Sequence, residues 1–230
     1  MLEVKTVDEV FKIIEEQFSD YPLEAELISI LDSCGRILAE DIISPENVPA
    51  FTRSSVDGYA VFASDTFGAS DAMSVQLLKS TPVEMGITPQ NPLKRGDAAY
   101  IPTGGELPKN ADAVVMIEYT EENNDEFIYI NKPVAPGNNV VLTGDDIKIN
   151  SAVFDSGKKL KIADTGVLAS IGIHKVKVKR KLKVGIIATG DEIVPIEQKP
   201  VNAQVRDINS NILYAALKEY NAEPVMYGII

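Results

Sequence analysis

A chain of 230 residues accommodates one large domain or two to three small ones. Its 45% hydrophobic and 24% charged content is that of an ordinary globular protein, and no run approaches the roughly 20 apolar residues of a membrane span. A net charge of −12 argues against a protein that coats nucleic acid, because phosphate backbones attract basic surfaces, but it leaves room for a small anionic ligand.

The start, Met1-Leu2-Glu3-Val4-Lys5, lacks the basic and then apolar regions of a secretory signal. A single cysteine, Cys34, permits no internal disulfide, which suits the cytoplasm. Within its apolar stretch Cys34 reads as a small buried hydrophobe.

Thr6 and Glu9 form a capping-box pair, and Val7, Val10, Phe11, Ile14 and Phe18 recur at helical spacing, so a helix is expected there, ended by Pro22. A second helical stretch is expected from about Leu23 to Leu38, interrupted at Gly35. Beyond Pro45 the chain turns to short apolar runs separated by Pro, Gly, Asn and Asp. Strands are expected at Tyr59–Phe62, Val75–Leu78, Ala98–Pro102, Ala113–Glu118 and Phe127–Asn131, with a solvated hairpin turn at Glu121-Glu122-Asn123-Asn124-Asp125. This segment reads as a β-rich domain of its own.

A short helix is expected at Ala163–Ile171, with Gly172 as its stop. In the basic run that follows, Lys175, Lys177, Lys179, Lys181 and Lys183 alternate with Val176, Val178 and Leu182. Period two places the lysines on one strand face, either a solvated face or an anion-attracting rim. His174 is a poor metal ligand, with no second His or Cys nearby. Lys183–Thr189 is a nearly continuous apolar strand of the kind covered on both faces, Asn209–Tyr220 an amphipathic helix with Ile212, Leu213, Ala216 and Leu217 on one side, and Pro224–Ile230 a second apolar strand. These make one βαβ unit, whose two strands cannot be covered by one helix. Ending in mid-strand would also leave an apolar edge, so the natural polypeptide is expected to continue.

Four segments hold candidate chemistry. In Pro49–Val61, Asp57-Gly58 marks a bend, either a plain turn or a placed carboxylate. In Ile101–Pro108, Gly104 and Gly105 would let backbone N–H groups approach a ligand, with the Thr103 hydroxyl beside them, unless the pair is only a turn. In Gly144-Asp145-Asp146-Ile147, adjacent carboxylates suit Mg²⁺, or Asp caps its own turn. The last, Thr189-Gly190-Asp191-Glu192 with Asp207 to Ser210, lies at the carboxyl end of a parallel strand, where ligands of α/β sheets bind and a helix N-terminus favours anions. Asp207 and Asn209 are equally candidate helix caps.

In order and spacing these pieces resemble the MoeA family of molybdopterin molybdenumtransferases, whose eukaryotic relatives include the E domain of gephyrin. The matching motifs are Cys34–Ala39, Pro49–Val61, Pro102–Gly105 with Leu107-Pro108, Ala111–Glu118, Gly144–Ile147, Ala188–Glu192 and Arg206–Ser210. The resemblance covers the whole chain.

It implies a mixed α/β multidomain protein. Residues 1–22 would be a helix packing near the α/β domain, 23–46 with 148–178 an α+β connecting stalk, and 47–147 the β-rich lobe. Residues 179–230 would be the truncated start of a parallel α/β, molybdopterin-binding-type domain. The implied activity is molybdenum cofactor biosynthesis in the cytoplasm: molybdate is inserted into adenylylated molybdopterin, AMP is released, and Mg²⁺ assists. The resemblance further implies a homodimer, possible contact with other cofactor-biosynthesis proteins, and neither nucleic acid nor membrane as partner. Asp57, Thr103, Asp146 and Glu192 would be catalytic, Asp57, Asp146 and Glu192 metal-binding, and Gly104, Gly105, Thr189, Gly190, Asp207 and Ser210 ligand-binding. Thr103 with the Gly104-Gly105 backbone would donate to an oxyanion. A non-catalytic scaffold on the same fold is the alternative.

The sequence departs from the family at Val141, where a basic residue is usual, at Asp145, where Glu is usual, and at Ala203, where Gly is common. The acidic pair expected after Gly228-Ile229-Ile230 and the family's later loops and fourth domain lie outside the chain, so the fragment alone is expected to be inactive.

Overall fold

Helix α1 (Val7–Phe18) begins as its capping box requires: the Thr6 hydroxyl accepts from the Glu9 amide at 3.3 Å while the Glu9 carboxylate accepts from the Thr6 amide at 2.7 Å. Its apolar face is open, with Phe11 66% exposed. The computed structural model describes residues 4–19, 21–122 and 126–230. Contacts divide the chain into two units: Met1–Asp41, Phe154–Ala169 and Ile173–Ile230 form the first, Ile42–Val153 with Ser170–Gly172 the second.

The expected helix over Leu23–Leu38 does not form. In its place stand β1 (Ala25–Ser29) and a 3₁₀ turn at Ile30–Asp32. Pairing outweighs local pattern here, because β1 runs antiparallel to β12 (Lys175–Lys179), with Ala25 opposite Lys179 and Ser29 opposite Lys175. Arg36 secures the pair from a buried position, donating to Glu26 and to the Lys179 carbonyl at 2.9 Å. In β12 the lysines face outward and Val176 and Val178 are buried, as the alternation predicts. Cys34 is exposed, contrary to expectation. At this turn Ser33 folds inward, its hydroxyl donating to the Ile30 carbonyl at 2.7 Å, and Gly35 takes a left-handed conformation that turns the chain after Cys34.

In the second unit β4 (Gly58–Val61), β5 (Val75–Lys79), β6 (Asp97–Ile101), β7 (Ala113–Met116), β8 (Thr120–Glu122) and β9 (Phe127–Ile130) form one sheet, in the order β7-β4-β6-β5-β9-β8. Every expected strand of this lobe is present; the end of the fourth tightens into a 3₁₀ turn at Ile117–Tyr119. Strands β8 and β9 pair antiparallel, and Asn123–Asp125 of the expected acidic turn lie outside the described residues. Only β5 and β6 are parallel. Tyr59, Val61, Val115, Ile128 and Ile130 fill one side of the core, and Ala60, Ile101 and Val114 belong to a second cluster. Each fully buried side chain of this size contributes about 1.5–3 kcal/mol. Three two-residue strands were not foreseen: β2 (Ile42–Ile43) and β3 (Arg53–Ser54), with β10 (Val140–Val141) pairing antiparallel to β3. Strand β11 (Ala152–Phe154) pairs with β2 where the chain enters and leaves the lobe.

Helix α2 (Ile162–Ser170) ends before Gly172, whose φ of 74° is that of a stop glycine. The βαβ unit forms as expected: β13 (Lys183–Ala188) and β16 (Glu223–Ile229) run parallel, joined through α3 (Asn209–Glu219), with the two-residue pair β14 (Ile193–Val194) and β15 (Val205–Arg206) ahead of the helix. As expected for two strands with one helix, the apolar faces of this unit stay partly open. Strand β13 is not covered on both faces, since Ile186 and Ala188 are buried but Ile187 is 54% exposed. Nor is the apolar side of α3 buried as a whole: Ala216 and Leu217 are half-buried while Ile212 and Leu213 are exposed. Two strands present too narrow a surface to cover a helix face, and one helix covers only one side of them.

Candidate active-site loops

In the lobe the candidate residues hang on one loop. From Pro49 to Asp57 the chain is hydrogen-bonded to both of the other lobe motifs. The Ser54 amide donates to the Gly105 carbonyl at 3.0 Å, and the Gly104 amide to the Ser54 carbonyl at 2.8 Å. On the other side the Gly144 amide donates to the Pro49 carbonyl, and the Asp146 amide to Val48, each at 3.0 Å. The Thr52 and Thr143 hydroxyls meet at 3.3 Å. Asp57, Thr103, Gly104, Gly105 and Asp146 are thus parts of one stitched group of loops.

At its centre lies Asp57. The Thr103 amide donates to Asp57 Oδ1 at 2.6 Å and the Thr103 hydroxyl donates to the same oxygen at 3.0 Å. These two bonds, the backbone one first, hold the exposed carboxyl below the usual aspartate range. Gly104, next in the chain, takes φ 83°, a left-handed conformation that favours glycine.

The donors of this loop, expected to serve an oxyanion, have acceptors within the chain. Thr103 gives both donors to Asp57, Gly104 its amide to Ser54, and Gly105 its amide to the Pro102 carbonyl at 2.9 Å. The Thr103 end of the loop thus cradles a carboxylate of its own chain. The acidic turn divides as well. Asp145 Oδ2 accepts from the Leu142 amide at 2.7 Å, capping its own turn, whereas Asp146 is exposed at the mouth of an open groove with Lys148 and Ser151.

Thr189, Gly190, Glu192, Asp207 and Ser210 lie in the other unit, at the carboxyl ends of its parallel strands. A register shift at Ile186/Ile187 opposite Gly228 disturbs the ladder just before Thr189. Exposed Glu192 holds β15 by its backbone, accepting from the Val205 amide at 2.8 Å. Asp207 is buried, and its Oδ1 accepts from the Ser210 amide at 3.0 Å, so it caps α3. That leaves Glu192 as the free carboxylate of this group. An open hollow of about 600 Å³ is lined among others by Ile193, Gln204, Asp207, Asn211 and Gly228, and Glu192 lines a separate one with Asp191, Val201 and Gln204.

Among the described residues no three His, Cys, Asp or Glu side chains gather into a metal-holding cluster. The residues the sequence did not single out are Ser54, Thr52 and Thr143. Ser54 sat inside a recognised segment, but nothing in composition or periodicity distinguishes it from Ser55. Among the described residues no helix is long and apolar enough to cross a membrane.

Known proteins add a consistent picture. The family described as the MoeA N-terminal region (domain I and II) matches residues 5–172. A molybdopterin molybdenumtransferase of Bacillus subtilis is 37% identical over 210 residues, covering 90% of this chain and 49% of the relative. The gephyrin of Dictyostelium discoideum is 35% identical, covering 93% of this chain and 31% of its own length. A crystal structure of the molybdopterin biosynthesis moeA protein from Pyrococcus horikoshii superposes on 99% of the chain with a TM-score of 0.90 and 33% identity, covering 60% of that protein. The chain spans about half the length of the curated molybdenumtransferases it matches.

Proposed function

The chain belongs to the MoeA N-terminal-region family, and on that premise we propose that the whole protein inserts molybdate into adenylylated molybdopterin with release of AMP. The observation that carries this reading is the clamped Asp57 carboxylate, held on Oδ1 by the Thr103 amide and hydroxyl. A fixed, ionised carboxylate beside an exposed Asp146 is what cleavage of a phosphoanhydride needs for orienting water and cation.

The donor set fits Mg²⁺, which takes oxygen ligands and usually only one or two from protein, the rest from water and substrate phosphates. Within the lobe, Asp57 and Asp146 would hold it. When bound it neutralises charge on the anhydride. Asp57 Oδ2 orients the attacking water, and Thr103 keeps that carboxylate ionised and fixed. Thr189, Gly190 and Ser210 would bind the anionic pterin ligand, while Asp207 keeps the α3 terminus in shape. A homodimer in the cytoplasm completes the proposal; the resemblance supports the first and the lone cysteine the second.

The test is AMP release by the full-length protein supplied with adenylylated molybdopterin, molybdate and Mg²⁺. Release that depends on molybdate supports the reading. No release, under conditions where an authentic molybdenumtransferase turns over, refutes it.

A further inference from the structure

We propose that Ser54 is a positioning residue that sets the Asp57–Thr103 pair through a closed ring of hydrogen bonds. Ser54 is 1% exposed, in a lobe whose other site residues are mostly open to solvent. Its backbone faces the glycine loop: its amide donates to the Gly105 carbonyl at 3.0 Å and its carbonyl accepts from the Gly104 amide at 2.8 Å. Its side chain faces the other way along the chain. The hydroxyl donates to the Val56 carbonyl at 2.6 Å and accepts from the Val56 amide at 3.2 Å, closing the turn that delivers Asp57.

The ring then runs from Ser54 through the Val56 turn to Asp57, across to Thr103, on to Gly104 and back to Ser54. One residue therefore fixes both partners of the clamp, Asp57 by its hydroxyl and Thr103 by its main chain. Strand β3 carries Ser54 on a second support, with Ser54 opposite Val140 of β10. Removing the hydroxyl frees the turn but leaves the main-chain bonds to the glycine loop in place. The direct consequence is a carboxylate less well aimed at the Thr103 donors, within a lobe that is otherwise still folded.

The inference concerns geometry within this chain, and only its kinetic arm rests on the proposed reaction. The experiment compares Ser54→Ala with the parent protein by amide hydrogen exchange. Exchange of the Thr103 amide is expected to quicken about 10-fold, while the amides of Ala60 and Val115 in strands β4 and β7 keep their rates. Ser54→Thr, which retains a hydroxyl, should restore Thr103 protection if it folds. In the full-length enzyme Ser54→Ala should lower kcat about 10-fold with KM within about twofold. Unchanged Thr103 protection overturns the proposal. So does a uniform rise in exchange across the lobe, which would make Ser54 a stability residue and nothing more. Altered exchange in a protein that never releases AMP would uphold Ser54's role and refute the reaction instead.

Discussion

A Cβ placed on Gly58 would lie 1.9 Å from the carbonyl oxygen of Val115, in the neighbouring strand. No side chain fits there. The glycine after Asp57 is therefore required by the close approach of the neighbouring strands β4 and β7, and not by a left-handed turn. Gly58→Ala should destabilise the protein by about 2–4 kcal/mol, because backbone must move in a packed sheet. Urea denaturation measures it, and a loss under 0.5 kcal/mol would contradict the stated contact.

Asp57→Asn should reduce AMP release by the full-length protein by about 100-fold, with little change in melting temperature, since Asp57 is exposed and serves Thr103 alone. Glu192→Gln should behave alike, because its structural bond is made by main chain. A drop in melting temperature that accounts for the lost activity would make either residue structural.

Asp207 and Glu192 separate by chemistry. Asp207→Asn keeps an acceptor for the Ser210 amide and should be tolerated, while Asp207→Ala should cost about 1 kcal/mol through loss of the cap. If Asp207→Asn instead leaves stability intact but abolishes ligand binding, the carboxylate has a role beyond capping. Thermal denaturation beside pterin-binding titration distinguishes the two.

The Tyr59 hydroxyl donates to Glu122, whose other oxygen pairs with Lys79 at 3.0 Å. Burial first, then the bond to Glu122, pushes the tyrosine up, while the same bond first, then Lys79, holds Glu122 below its ordinary 4.5. A carboxylate depressed by folding stabilises above its unfolded value and loses that contribution as pH falls through the folded one. The Tyr59→Phe protein should therefore be about 1 kcal/mol less stable at pH 7, a modest figure because Glu122 is exposed. The difference should shrink as pH is lowered below 4.5. A gap that stays constant down to pH 3 would show that Glu122 does not feel the hydroxyl.

Much of the lobe was legible because its strands are short apolar runs bounded by Gly, Pro and Asp, a local signal. Strand β1 was not, because its partner β12 comes from the far end of the chain and its own residues suit a helix equally well. The two-residue strands carry too short a pattern to be read. At the candidate site the segments were recognisable, but not the direction of their hydrogen bonds. A Thr-Gly-Gly loop offers donors in any context. Only the fold reveals that Asp57, Ser54 and Pro102 already accept them. Cys34 was misplaced for a similar reason: apolar neighbours in sequence did not become its neighbours in space.

Where the chain enters and leaves the β-rich lobe, Ser44 donates its amide to the Ser151 carbonyl at 2.9 Å and accepts from the Asn150 amide at 2.8 Å. The lobe is thus a cassette whose two ends are fastened together. Such an arrangement permits the segment to be exchanged between homologues, or circularly permuted, with the graft confined to a single hydrogen-bonded junction.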